Sequence, residues 1–230
     1  MGNLLGPTRG TQTLLPRSPA MRLLVVPLLL PVLSALPLRG QDAGTPAGWL
    51  VRADAPDADA AEVFFVDMPP GWHVTTGPAV LLWSPDSTAT GEFRFETETF
   101  LFDPEGGQGE FGIMLGGRGL QEPDALCTYF LIREGGEFAV VPVRGRVAAS
   151  PPEWTSHPAV ARFADRPDGD VTVRNVLAVE VSQGDVRFLV NGREVARRPR
   201  TDLALDGAFG LRVGRGVNLH VTRLDIRDRG

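Results

Sequence analysis

Beyond Gly48, apolar residues recur in short runs of Val, Phe, Leu and Thr, split by clusters of Gly, Pro and Asp. No stretch there sustains the 3.6-residue stripe of a packed helix. Many short strands at turn-punctuated spacing predict an all-β sandwich or barrel. The predicted strands in the first half are Trp49–Ala53, Glu62–Asp67, Trp72–Thr75, Ala79–Ser84, Gly91–Phe102 and Glu110–Leu115. The second half adds Leu126–Arg133, Phe138–Arg144, Ala159–Ala164, Val171–Val181, Asp185–Val190, Arg193–Arg197, Ala208–Val213 and Val217–Arg227.

Two local signals are sharper. Asn191-Gly192 sits between alternating segments and supplies the two positive-φ positions of a type I′ turn, so a tight hairpin is predicted there. With the turn at Ser182–Asp185, a meander runs from about Val171 to Arg197. In the last strand Val217, Leu219 and Val221 alternate on odd numbers, whereas Leu224 and Ile226 continue on even ones. One extra residue near Thr222-Arg223 restores the inward face, which is what a β-bulge does. Asn218, His220, Asp225 and Arg227 then share the outer face.

The first forty residues read differently. Met21-Arg22 precedes the apolar run Leu23–Leu38, broken by Pro27, Pro31 and Pro37. A short basic start and a short apolar core predict a secretory leader over residues 21–40, cut between Leu36 and Gln41. The run is too short and too Pro-broken for a stable membrane anchor. Residues 1–20, without acids or periodicity, read as a mis-assigned N-terminal extension, with Met21 the expected initiator; residues 41–48 are expected to form a short linker and 49–230 the folded domain. The expected address is secreted or periplasmic.

Composition narrows the partners. The chain has 230 residues, 43% of them apolar, which suits one domain with a full core. All its basic residues are Arg. A chain beginning at Gln41 loses four of them and no acid, so the formal charge moves from −5 to about −9. Such a surface repels phosphate backbones, and nucleic acid is not an expected partner. The lone Cys127 excludes an internal disulfide and is expected to be a buried small apolar residue.

The C-terminal half carries a family pattern. Arg174-Asn175-Val176-Leu177-Ala178-Val179-Glu180-Val181, the Val190-Asn191-Gly192 hairpin, Gly207-Ala208-Phe209-Gly210-Leu211-Arg212 and Val221-Thr222-Arg223-Leu224-Asp225-Ile226 follow in order. Upstream stand Trp72-His73-Val74, Gly91-Glu92-Phe93 and Gly109-Glu110-Phe111-Gly112-Ile113. Over residues 70–228 this resembles the concanavalin A-like jelly-roll superfamily, closest to the secreted bacterial 3-keto-disaccharide hydrolase domain family. The resemblance implies a two-sheet antiparallel jelly-roll sandwich that binds or cleaves carbohydrate. The chain departs from the family pattern at polar positions. Asn-Ser-Gly-Ile becomes Glu110-Phe111-Gly112-Ile113, Arg174 replaces a Trp, Arg212 replaces the Gln after Gly-Leu, and Val213-Gly214 replaces His-Gly.

Glycoside cleavage needs two carboxylates flanking one bond. Glu96 and Glu98 point to one face of their strand, roughly 7 Å apart, with Arg94 beside them. Jelly-roll glucanases carry Glu-x-Asp-x-x-Glu on one strand; here position 101 is Leu, so the third acid is missing. The alternative for these residues is a solvated face with cross-strand Arg partners. Sugar rings stack on flat aromatic faces, which nominates Trp83, Tyr129 and Trp154, the last in a Pro-rich loop beside His157. Trp154 can equally plug the sandwich edge, and Trp72 is expected to cap the core. The three histidines share no metal-ligand spacing, and no cofactor is expected. A structural Ca²⁺ at loop acids such as Asp103, Glu105, Asp168 and Asp170 is the one weak metal reading; a plain turn at Asp168–Asp170 is the other. The reading carried forward is an exported, non-catalytic carbohydrate-binding domain. Its alternatives are a glycoside hydrolase using Glu96 and Glu98, and a structural or protein-interaction sandwich with no sugar site.

Overall fold

A computed structural model describes residues 44–55, 57–58, 60–103, 109–148 and 150–229. The predicted leader and Glu105 lie outside the described residues. Fourteen strands form among the described residues. They are β1 (Leu50–Ala53), β2 (Val63–Asp67), β3 (Trp72–Thr76), β4 (Val80–Ala89), β5 (Phe93–Phe102), β6 (Phe111–Arg118) and β7 (Leu126–Arg133), then β8 (Glu137–Arg144), β9 (Thr155–Ser156), β10 (Thr172–Val181), β11 (Asp185–Val190), β12 (Arg193–Pro199), β13 (Gly207–Val213) and β14 (Asn218–Asp228). They make two seven-stranded sheets. Sheet I runs β1-β4-β13-β6-β7-β8-β9, and sheet II runs β12-β11-β10-β5-β14-β3-β2. Every strand pairing is antiparallel. The architecture is an all-β sandwich, one of the two forms that the patterning predicts, in the two-sheet jelly-roll arrangement that the resemblance implies.

The pleat explains the core. In β5, Phe93, Phe95, Thr97, Thr99 and Leu101 are buried while the residues between them are half-exposed. The inward side chains of sheet II meet Phe111, Ile113, Leu115, Phe130, Phe209 and Leu211 of sheet I in one apolar layer. Phe209 sits between Phe93 and Phe95, with ring centroids 5.1 and 5.4 Å away. Trp72 packs on this layer against Trp49 and Phe65, as expected of a core cap.

The local signals hold. Asn191 has φ 50° and Gly192 φ 78°, the pair that a type I′ turn demands. The meander β10-β11-β12 follows. The register of β14 against β5 shifts between Val221 and Arg223, and Leu224 and Ile226 accordingly pack on the core. One predicted strand is corrected. Ala159–Ala164 is a loop entering a 3₁₀ turn at Phe163–Asp165. Its apolar residues do plug the core, with Ala159, Val160 and Phe163 buried. Its backbone instead bonds side chains: Asn175 Oδ1 accepts from the Ala161 N–H (2.9 Å), and Asn175 Nδ2 donates to Ala161 O (3.2 Å).

Sheet I differs from an ordinary sandwich half because its outer face is also covered. Leu81, Trp83, Met114, Cys127, Tyr129, Leu131, Ala139, Val141 and Val143 form a second buried apolar layer there. The outer face of sheet II is instead a charged lattice.

Candidate functional site

The strand alternation puts Arg94, Glu96 and Glu98 outward from β5, on the open face of sheet II. Each carboxylate is engaged. Glu96 receives Arg94 (2.5 Å) and Arg223. Glu98 receives Arg174 (2.5 Å) and the Thr222 hydroxyl (2.7 Å). The Thr222 hydrogen bond first, and Arg174 after it, hold the Glu98 carboxyl below its ordinary range against the opposing effect of burial. A general acid needs the opposite displacement. Arg94 itself is shared between Glu96 and Glu180. Burial would raise Glu180, but Arg229, Arg94 and Arg187 outweigh it and hold this carboxyl low too. The Glu96–Glu98 pair therefore sits in a cross-strand ion lattice, the structural alternative stated for it above.

The predicted aromatics lie across the molecule, on the outer side of sheet I. Trp83, Tyr129 and Trp154 do converge there, in the same apolar layer. Their expected role as open stacking platforms is corrected by burial. The rings of Trp83 and Tyr129 are each only 4% exposed, because the segments after β6 and β8 fold over this face. Trp154 is half-buried, and the Arg133 guanidinium lies 4.8 Å from its ring centre. It is an edge plug rather than a bare ring. His157 is remote from this cluster. It lines a separate crevice, where its Nδ1 accepts the Ala159 N–H (3.1 Å).

What the sheet I face does offer is a cleft of about 340 Å³. Asp54, Glu110, Tyr129 and Arg212 line it, together with Leu131, Val141 and the rim residues Val147, Ala148, Ser150, Pro151 and Pro152. Arg212 is 8% exposed. Its guanidinium donates to Asp54 Oδ2 (2.6 Å) and Val213 O (2.6 Å), stands 3.9 Å from Glu110 Oε1, and lies 6.0 Å from the Tyr129 ring centre. Its cross-strand partner on β6 is Gly112, where a Cβ would press within 2.0 Å of Phe130 O. Burial pushes the Asp54 carboxyl above its usual range, although Arg212 and then Arg52 pull it down. Asp54 Oδ1 is buried here without a hydrogen bond, and the Tyr129 hydroxyl is buried beside the Cys127 thiol. Burial raises the Tyr129 phenol far above its ordinary value, so it stays a neutral donor and acceptor. Its polar neighbour is Cys127, 1% exposed, whose thiol burial pushes up to about 11. Cys127 is therefore the inert apolar residue expected of it.

Sequence reasoning missed Asp54, and it saw Glu110 and Arg212 only as departures from the family pattern. The signal was present: two altered polar positions, 102 residues apart, both on predicted strands. Strand order was needed to see that β6 and β13 are neighbours. At the loop acids, Asp168–Asp170 is a turn, closed by Asp170 N–H to Pro167 O (3.1 Å). Among the described residues no group of three or more His, Cys, Asp or Glu is placed to hold a metal.

No family model matches the chain, and no curated protein matches it. Solved structures do. The carbohydrate-binding module CBM66 from Bacillus subtilis is 13% identical, covering 79% of this chain and 96% of its own, with TM-score 0.57. A protein of unknown function with a galectin-like fold from Bacillus subtilis is 10% identical over 78% and 89%, TM-score 0.56. A legume lectin-like domain from Entamoeba histolytica is 14% identical over 80% and 91%, TM-score 0.55. At these identities the likeness is one of fold alone, a two-sheet jelly-roll sandwich.

Proposed function

We propose that this chain is an exported carbohydrate-binding jelly-roll domain that binds without cleaving, and that its sugar site is the cleft on the outer face of sheet I. The observation carrying this reading is the polar wall of that cleft, where Asp54 Oδ1 has no hydrogen bond beside Glu110 and the buried Arg212. A buried polar atom without a partner costs about 1–3 kcal/mol, so the site is suited to take up a hydroxyl-sized group. Adjacent sugar hydroxyls supply donor and acceptor together. Arg212 donates, Asp54 and Glu110 accept, Tyr129 does either, and Leu131 and Val141 face the ring's C–H groups. Similar folds that carry carbohydrate-binding and lectin-like names support the class. The arginine-bound state of Glu96 and Glu98 favours binding over hydrolysis. The leader-like run Leu23–Leu38 supports export.

A glycan array on the chain beginning at Gln41, followed by calorimetry on the best ligand, tests the reading. Tyr129→Phe keeps the buried ring and removes one hydroxyl; Glu110→Gln removes one charged acceptor. Each is expected to weaken binding about three- to tenfold, as one hydrogen bond allows. Glycan binding indifferent to both changes, or no binding at all, rejects the site. Turnover abolished by Glu96→Gln replaces this reading with the hydrolase.

A further inference from the structure

A second concavity shares no lining residue with the cleft. It is a crevice of about 730 Å³ between the 156–170 loop, the β7–β8 turn and the ends of β5 and β10. Three arginines line it, Arg162, Arg166 and Arg174, in a chain whose formal charge is −5. Arg166 is the informative one. Its guanidinium lies flat on Phe163, 4.0 Å from the ring centre, with Nε donating to Asp170 O (2.8 Å) and Nη1 to Phe163 O (2.9 Å). Those three contacts fix its orientation and leave Nη2 without a partner among the described residues. No carboxylate of the described residues pairs with it. Arg174 spends Nε and Nη2 on Glu98, so that pair brings no net charge and offers the crevice the Nη1 donor alone. Arg162 is closed by a fork onto Asp165 (2.6 and 2.8 Å), so this pair brings no net charge. Asp170, the other acid on the wall, is exposed to water. His157 Nδ1 is an acceptor, so its ring proton is on Nε2, a further donor on the crevice wall. Phe100 and Val160 supply an apolar side.

Preoriented guanidinium donors beside an apolar wall suit a carboxylate on a ring, because each remaining N–H of the two arginines can donate a charge-assisted hydrogen bond to a carboxylate oxygen. We propose that this crevice is a second binding site, for the carboxylate of a uronic acid unit, with Arg166 and the Nη1 donor of Arg174 holding the carboxylate and Phe100 against the ring. The site is a property of the loop that Asn175 and Asn191 anchor, and it stands or falls independently of the sheet I cleft.

The test is calorimetric titration of the folded chain with uronide trimers (galacturonate, glucuronate, mannuronate), the free uronic acids, neutral glucose and galactose trimers, and a sulfated trimer. At least one uronide is expected to bind, more weakly when NaCl rises from about 50 to about 500 mM. The free acids separate recognition of a single carboxylate-bearing ring from recognition of a chain. Arg166→Gln and Arg174→Gln are each expected to weaken uronide binding at least about tenfold, the size of one charge-assisted hydrogen bond. Ser156→Glu, at an exposed wall position, adds an acid without touching either arginine and is expected to do the same, which keeps the test decisive if an arginine variant fails to fold. Tyr129→Phe should leave uronide affinity unchanged. Equal affinity for neutral trimers, preference for the sulfated trimer, or uronide binding unaffected by Ser156→Glu and Arg166→Gln each overturn the proposal.

Discussion

Replacing Asn175 with Ala tests how the loop over the crevice is held. Asn175 is 1% exposed. Its side chain makes three bonds: to the Ala161 N–H (2.9 Å), to Ala161 O (3.2 Å) and to Asn191 Nδ2 (2.9 Å). Asn191 in turn reaches Ala159 O (2.9 Å) and the Val176 N–H (2.9 Å), so the two amides clamp the loop to the β10–β11 hairpin. Each bond is worth about 1 kcal/mol net, and each group orphaned in a buried place costs about 1–3 kcal/mol. Ala161 is half-buried, so water can reach its orphaned groups and the lower end applies. Asn175→Ala should therefore lower unfolding free energy by about 3–4 kcal/mol, a large share of the 5–15 kcal/mol typical of a domain. Urea unfolding measures it. A double-mutant cycle with Asn191→Gly, which retains the turn, should show coupling of about 1 kcal/mol or more. Because every basic residue is Arg and Arg166 precedes Pro167, native-state trypsin should cut the loosened loop after Arg162 well before global unfolding. A stability loss under about 1 kcal/mol with an unchanged cutting rate at Arg162 would refute the clamp.

Other outcomes follow from the same coordinates. Glu194 is held at about 2 by hydrogen bonds from Arg197 and Arg187, below its ordinary 4.5. Its folded pKa is depressed, so its stabilising contribution is present above about pH 4.5 and lost as pH falls towards 2; melting curves of Glu194→Gln should converge with wild type across that window, and parallel curves would contradict it. Cys127, buried and with its thiol raised to about 11, should resist a thiol reagent at pH 8 until urea is added; rapid stoichiometric labelling of the native protein would count against its burial. Phe209→Ala empties the space between Phe93 and Phe95 and should cost about 3–5 kcal/mol in chemical denaturation; a loss below about 1 kcal/mol would mean that this layer can collapse.

The sandwich was legible in the sequence because strand alternation, turn residues and bulges are local and periodic. Asn191-Gly192 needs positive φ wherever it stands, and the parity change at Thr222-Arg223 must be absorbed by one extra residue. Composition also explains the one false strand: Ala159–Ala164 is apolar because it plugs a core, and apolar residues alone do not say what their backbone bonds. Which face of which sheet would be open was not legible. Glu96 and Glu98 look like an acid–base pair on their own strand; only β10 and β14, folded on either side, bring the Arg174 and Arg223 that neutralise them. Trp83 and Tyr129 look like sugar platforms until the segments after β6 and β8 cover them. Asp54, Glu110 and Arg212 are 56 to 158 residues apart in sequence. The order β1-β4-β13-β6 makes them neighbours, and hydrogen bonding between strands distant in the chain decides that order.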